Sequence, residues 1–109
     1  MLFRTIDEFY LRAEEAERLT REEERRLYAF MLEGDREARD KLVDGYLHIV
    51  AAYIRRLPPE LAALNSVYSA LAMLEGCVDE FNFTSEGESF SHRLSLKLRG
   101  LTTTLIANS

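Results

Sequence analysis

A chain of 109 residues suits one domain of modest core size, and a hydrophobic content of 47% excludes general disorder. Such a chain buries roughly two-thirds of the surface its unfolded form exposes. The net charge of −5 excludes wholesale adhesion to nucleic acid, and the lone Cys77 excludes an internal disulfide and fits a reducing cytoplasm.

Charge is spread unevenly. Residues 1–45 hold thirteen acids and nine bases, whereas no acid follows Glu88 and Arg93, Lys97 and Arg99 do. A locally basic end on an acidic protein can still meet phosphate. The start, MLFRTIDEFYLR, has early acids and no long apolar run, so it does not read as a signal peptide. No stretch nears the length of a membrane span, and no membrane partner is expected.

Gly and Pro are scarce, while Leu, Ala, Glu and Arg are abundant, which favours helix. The spacing of Ile6, Phe9, Tyr10 and Ala13 predicts a first helix over about 6–18, with Thr5 and Glu8 placed for a capping box. Thr20 and Glu23 repeat that signature in LTREEE and open a second helix carrying Leu27, Phe30 and Met31. Gly34 is its natural stop. Asp35 can cap a third helix running to about Leu57, a long spine whose weak point is Gly45, or where another helix comes close at Gly45. Pro58 and Pro59 end it, and ELAAL offers a single turn.

The next stretch, NSVYSALAML from Asn65 to Leu74, is ten residues without a charge in a chain that is 30% charged. Asn65 or Ser66 can cap a fourth helix reaching about Phe81. Its inner face is Val67, Leu71, Leu74 and Val78, and Tyr68, Ala72 and Met73 extend the apolar surface around it. A helix apolar over most of its circumference is normally central. NFTSEGES is the clearest loop, with Gly87 as pivot. Ser89 or Ser91 then caps a fifth helix with Phe90, Leu94, Leu98, Leu101 and Leu105 inward and His92, Arg93, Leu96 and Arg99 on the other side. The tail TTTLIANS is expected to fray. No β-alternation persists, so the fold class is all-α: a compact bundle of about five helices in one domain, 1–109.

Catalytic and metal signals are missing. His48, His92 and Cys77 have no metal-ligand spacing, and the Glu runs read as solvated helix faces with i,i+4 pairing. There is no glycine-rich phosphate loop and no nucleophile elbow. Neither enzyme activity nor a cofactor is expected.

One ordered set of motifs resembles a family. LTREEERRLYAFMLEGDREARDKLVDGYLHIV, Leu19 to Val50, is similar to the bacterial RNA polymerase sigma factors, which read near LTREEE…EGDEEAREKLIEANLRLV on entering their second conserved region. CVDEFN and then GESFS resemble the family's AVDKFD…G…FST at about the right distance. The resemblance runs from Leu19 to roughly Leu101, after an N-terminal helix over 1–18 and before a tail over 102–109. It implies an all-helical domain in which one helix docks on the polymerase's largest subunit. The last helix of such a domain melts promoter DNA, holding flipped bases on aromatic rings.

The docking helix of the family reads near DLIQEGNIGLLKAVDKF, and here NSVYSALAMLEGCVDEF stands in its place. Val67, Leu74 and Val78 to Phe81 keep the core pattern. Asn65 replaces the Asp, Tyr68 the Gln and Ser69 the Glu, so polymerase or partner binding falls to Asn65, Tyr68, Ser69, Ala72 and Met73. In the last helix the aromatic cluster near TYATWWIRQAI becomes HRLSLKLRGLT. Phe90 and Ser91 are kept, Arg93, Leu96 and Lys97 stand where aromatics are expected, and Arg99 matches a family base. The DNA-facing set is therefore His92, Arg93, Leu96, Lys97 and Arg99, with promoter binding weak and autonomous melting lost.

Two functions are carried forward. One is a sigma-like domain acting in transcription initiation by binding core polymerase. The other is an interaction module on a sigma-like fold that meets an anti-sigma factor, another sigma factor or a second copy of itself, without DNA. An apolar patch at Tyr68, Ala72 and Met73 would need such a partner.

Overall fold

The computed structural model describes residues 2–109, and it is all-helical, with no strand among those residues. Six α-helices and one 3₁₀ turn follow in order: α1 Ile6–Glu15, α2 Arg21–Leu32, α3 Arg36–Asp44, α4 Leu47–Arg55, the turn Pro59–Leu61, α5 Leu64–Glu80 and α6 Phe90–Ala107.

The start signals work as the sequence predicts, with one variation. Thr20 and Glu23 form a reciprocal capping box, each side chain accepting from the other's backbone N–H. Thr5 accepts from the Glu8 amide, but the Glu8 carboxylate reaches back to Arg4 N at 2.6 Å rather than to Thr5. Asp35 and Ser89 cap α3 and α6. α2 ends in a Schellman motif: Asp35 N donates to Phe30 O and Gly34 N to Met31 O, with Gly34 at φ 97°. α5 departs from expectation. Its N-cap is Ala63 with no side-chain bond, one turn-position before Asn65 and Ser66.

The long spine is a correction. Instead of one helix over 35–57 there are two, because the chain bends at Gly45 and Tyr46. Leu19, in the link between α1 and α2, lies directly over Gly45. A Cβ there would sit 2.7 Å from Leu19 Cδ1 and 2.8 Å from Cγ. Tyr46 leaves helical geometry at φ −116°, ψ 7°, and its amide turns to Val43 O in a 3₁₀-type bond. Gly45 is thus a point of close approach, but by a linker side chain.

The tail is a second correction. Residues 102–107 continue α6 to Ala107. Leu101 is buried, Leu105 packs on the core, and the hydroxyls of Tyr53 and Thr102 lie 2.8 Å apart, joining α4 to α6. Packing overrides the weak propensity of three threonines.

α5 lies at the centre, touching α1, α3, α4 and α6. Phe9, Leu42, Leu47, Ile54, Leu74, Leu94 and Leu98 form the fully buried centre, drawn from every α-helix except α2. α2 packs on α3 and buries no residue completely. The 82–89 loop is anchored rather than free. Phe83 is buried, stacked on Phe90 at 5.0 Å and edge-on to Phe81 at 5.0 Å.

The Leu19 contact generates a prediction. Gly45→Ala gains helix propensity of up to ~1 kcal/mol but overpacks the contact at ~1–3 kcal/mol, so urea unfolding should show a net loss of about 1 kcal/mol. In a Leu19→Ala background the same change should be neutral or stabilising. Equal destabilisation in both backgrounds would exclude Leu19 as the reason for the glycine.

Candidate functional surfaces on the central and last helices

α5 divides its ten uncharged residues between the inside and the outside. Ser66, Val67, Ala70, Leu71 and Leu74 are buried, while Asn65, Ser69 and Ala72 are exposed, with exposed Gly76 next along the same stripe. Tyr68 and Met73 are half-buried at its edges and pack on the core. The apolar patch expected from Tyr68, Ala72 and Met73 is therefore reduced to the small, uncharged stripe itself.

Tyr68 is held by the N-terminal segment. Its hydroxyl accepts the Phe3 N–H at 2.8 Å and donates to the Phe3 carbonyl at 2.9 Å. Phe3 in turn sets its ring edge-on to the buried Phe9 at 5.5 Å. Phe3 thus lies against the edge of α5 at Tyr68, a residue that the sequence assigns to a partner. No sequence period could reveal a contact across 65 residues between a tyrosine hydroxyl and backbone groups.

At the far end of α5, Asp79 clamps α3. Arg39 donates Nε to Asp79 Oδ1 at 2.7 Å and Nη2 to Oδ2 at 2.9 Å. The hydrogen bonds from Arg39 hold the Asp79 carboxyl below the usual aspartate range, and Asp79 raises Arg39 in return. This is the aspartate of the VDEF end, and its work here is to join two helices.

The DNA-facing set on α6 does not stay together. His92, Arg93, Leu96 and Lys97 line a groove of 440 Å³ that also contains Glu80 and Glu88. Arg93 forms an ion pair with Glu88, donating Nε at 2.9 Å, and lies 5.6 Å from the centre of the Phe81 ring. Leu96 is 51% exposed beside these charges. Much of the positive charge on this side is therefore offset. The only aromatic residue of α6, Phe90, is buried against Tyr46, Phe81 and Phe83.

Arg99 points elsewhere. It lines a groove of 590 Å³ between α4 and α6 together with Arg18, His48 and Arg56. The sequence reading did not single out Arg18 or Arg56. They are 38 residues apart, and only the fold brings Arg18, from the α1–α2 link, and Arg56, at the end of α4, to Arg99 on α6. Burial first, and then Arg18, push the His48 imidazole below its ordinary value, so it is largely neutral at pH 7.

Among the described residues no cluster of His, Cys, Asp and Glu could hold a metal ion, and no helix is long and apolar enough to cross a membrane. Cys77 is buried, and burial raises its thiol above the usual range. No family model, curated protein or solved structure matches the chain.

Two measurements test this arrangement. Tyr68→Phe removes the hydroxyl that holds Phe3 and should cost about 1 kcal/mol. Exchange of the Phe3 amide should accelerate about fivefold; unchanged protection would mean that the hydroxyl does not hold the segment. The Arg39–Asp79 pair should contribute stability that is fully present above the unfolded carboxylate value, near pH 4 (about), and lost as pH falls through the lower folded value. Asp79→Asn should cost less than about 1 kcal/mol at pH 7, because Asp79 is half exposed, and the cost should vanish in acid. A cost that persists at low pH would assign the effect to packing instead of charge.

Proposed function

We propose that this protein is a sigma-like helical module that acts in transcription initiation or its regulation by binding the RNA polymerase core through the exposed stripe of α5. The observation that supports the reading is the fit between motif order and element boundaries. LTREEE caps α2, EGD makes the Gly34 stop, ARDKLV and LHIV form α3 and α4, CVDEFN closes α5, and GESFS opens α6. The fit fails at Gly45 and Tyr46, where the single ARDKLV…LHIV helix of the resemblance is two helices.

Promoter melting is not part of the proposal. Capture of a flipped base relies on exposed aromatic faces, and on α6 Phe90 is interior, which leaves only the small His92 imidazole open to solvent. Arg93 is engaged by Glu88, so the face around Lys97 is poor in net positive charge. These features favour protein contact over DNA contact. They also support a second reading, in which α5 and the exposed Leu96 meet an anti-sigma factor, a sigma factor or a second copy of the chain. We place the protein in the cytoplasm on this reading, where polymerase resides.

Retention of the purified protein on immobilised core polymerase tests the proposal. Core should retain it without promoter DNA, and Ser69→Arg or Ala72→Arg should reduce retention about tenfold or more while leaving the helical circular dichroism intact, because both residues are exposed. A single-stranded promoter-element oligonucleotide should show no tight, sequence-specific binding. Failure of core to retain the protein would remove the first reading. Binding to a sigma or anti-sigma factor, or a dimeric solution mass that Ser69→Arg makes monomeric, would install the second.

A further inference from the structure

The α4–α6 groove carries an inference that does not depend on polymerase. Its apolar lining includes Ile49, Ala52, Leu57 and Leu98, with Tyr53. Its polar groups are three guanidinium groups, Arg18, Arg56 and Arg99, with His48, Ser95 and Thr102. No carboxylate lines it, in a protein of net charge −5.

Arg12, Arg39, Arg55 and Arg93 each lie within 4.0 Å of a carboxylate, on Asp44, Asp79, Glu14 and Glu88 respectively. Among the described residues, Arg18, Arg56 and Arg99 have no carboxylate within that distance. Ion pairing alone does not distinguish these arginines, since Arg21, Arg25, Arg26 and Arg36 also have none; what sets the groove apart is three arginines lining one recess with no acid. Three like charges around one recess repel one another, and the fold gains nothing from bringing them together. A recess of 590 Å³ lined by apolar residues and a few polar ones has the size and character of a small-molecule site.

We infer that the groove between α4 and α6 binds a small organic phosphate, with its phosphate at Arg18, Arg56 and Arg99 and its apolar body over Ile49, Ala52 and Leu98. A phosphate offers three strong acceptor oxygens and up to two negative charges, which three guanidinium forks can engage. A carboxylate has two oxygens and one charge, and would leave part of the set unanswered. The Tyr53–Thr102 hydroxyl contact spans α4 and α6, and the adjoining recess beyond His48 holds Glu14 with Arg18 and Arg55, so whether a polymer could continue there is decided by the oligonucleotide comparison below.

Phenyl phosphate is the probe, with inorganic phosphate, phenol and a twelve-residue oligo-dT as comparisons, all at low salt. Calorimetry should show phenyl phosphate binding at least about tenfold more tightly than phosphate or phenol alone, and NMR should show His48 ring resonances moving with saturation. Arg56→Gln and Arg99→Gln should each weaken binding about tenfold or more, the effect of losing a charged hydrogen bond. Lys97→Gln, on the other side of α6, should leave it unchanged. All three positions are exposed, so the variants should fold, and circular dichroism checks this. The inference is overturned if phenyl phosphate binds no better than phosphate, or if Lys97→Gln weakens binding as much as Arg99→Gln. It is also overturned if oligo-dT binds more tightly than phenyl phosphate through the same arginines, which would make the groove a polymer track. None of these outcomes bears on retention by core polymerase.

Discussion

The contact of Leu19 with Gly45 sets the course of the whole chain. Leu19 belongs to the short link between α1 and α2, and Gly45 to the end of α3. With no side chain at position 45, the link passes close over α3, and α2 can turn back along it. With the bend that follows, α4 leaves in a new direction and covers α1, α5 and α6. A straight helix from Asp35 to Leu57 would keep its apolar stripe on one continuous face. The bend splits that stripe, giving Leu42 and Val43 to one part of the core and Leu47, Val50 and Ile54 to another.

Tyr46, next to the glycine, links that bend to the rest. Its ring lies 4.4 Å from Phe90, which continues through Phe81 and Phe83 to Tyr28. Aromatic pairs of this kind contribute about 0.5–1.5 kcal/mol each beyond the area they bury. The cluster fixes where α5 ends, how the 82–89 loop runs and where α6 begins. The Tyr46 hydroxyl donates to Glu24 at 2.7 Å, and burial together with that carboxylate pushes its ionisation far above the usual tyrosine range. α2 buries nothing fully, so these edge contacts, with Arg21 donating to the Ser85 carbonyl at 3.2 Å, hold it to the body.

Local rules explain which parts of this were legible in the sequence. A cap is read from residues three apart, and Thr20, Asp35, Gly34 and Ser89 all act as their spacing implies. The inward stripe of α5 follows from helical period alone. What period does not carry is contact across the chain. Gly45 reads equally as a flaw or a crossing until Leu19 is placed over it. Phe83 sits in a segment of turn residues and is interior because it packs against three other rings, Tyr28, Phe81 and Phe90. The same holds for the candidate surfaces. The sequence gathers His92, Arg93, Leu96, Lys97 and Arg99 on one helix, yet α6 turns Arg99 to one groove and the others toward Glu80 and Glu88.

That division of α6 changes what its basic character means. Counted along the chain, the end after Glu88 is purely positive and looks ready for a phosphate backbone. In space, Glu88 and Glu80 reach the Arg93–Lys97 side and blunt it, while the Arg99 side gathers Arg18 and Arg56 from distant segments and no acid. An extended polyanion needs positive charge along a continuous track. Here three arginines gather in one recess, carboxylates stand across α6, and the adjoining recess beyond His48 mixes Glu14 with Arg18 and Arg55. The field that remains is short in reach and local in direction, because exposed charges more than ~8–10 Å apart are screened at physiological salt. Such a field acts on what enters the groove between α4 and α6 and is weak at the uncharged stripe of α5, where Ser69 and Ala72 are exposed.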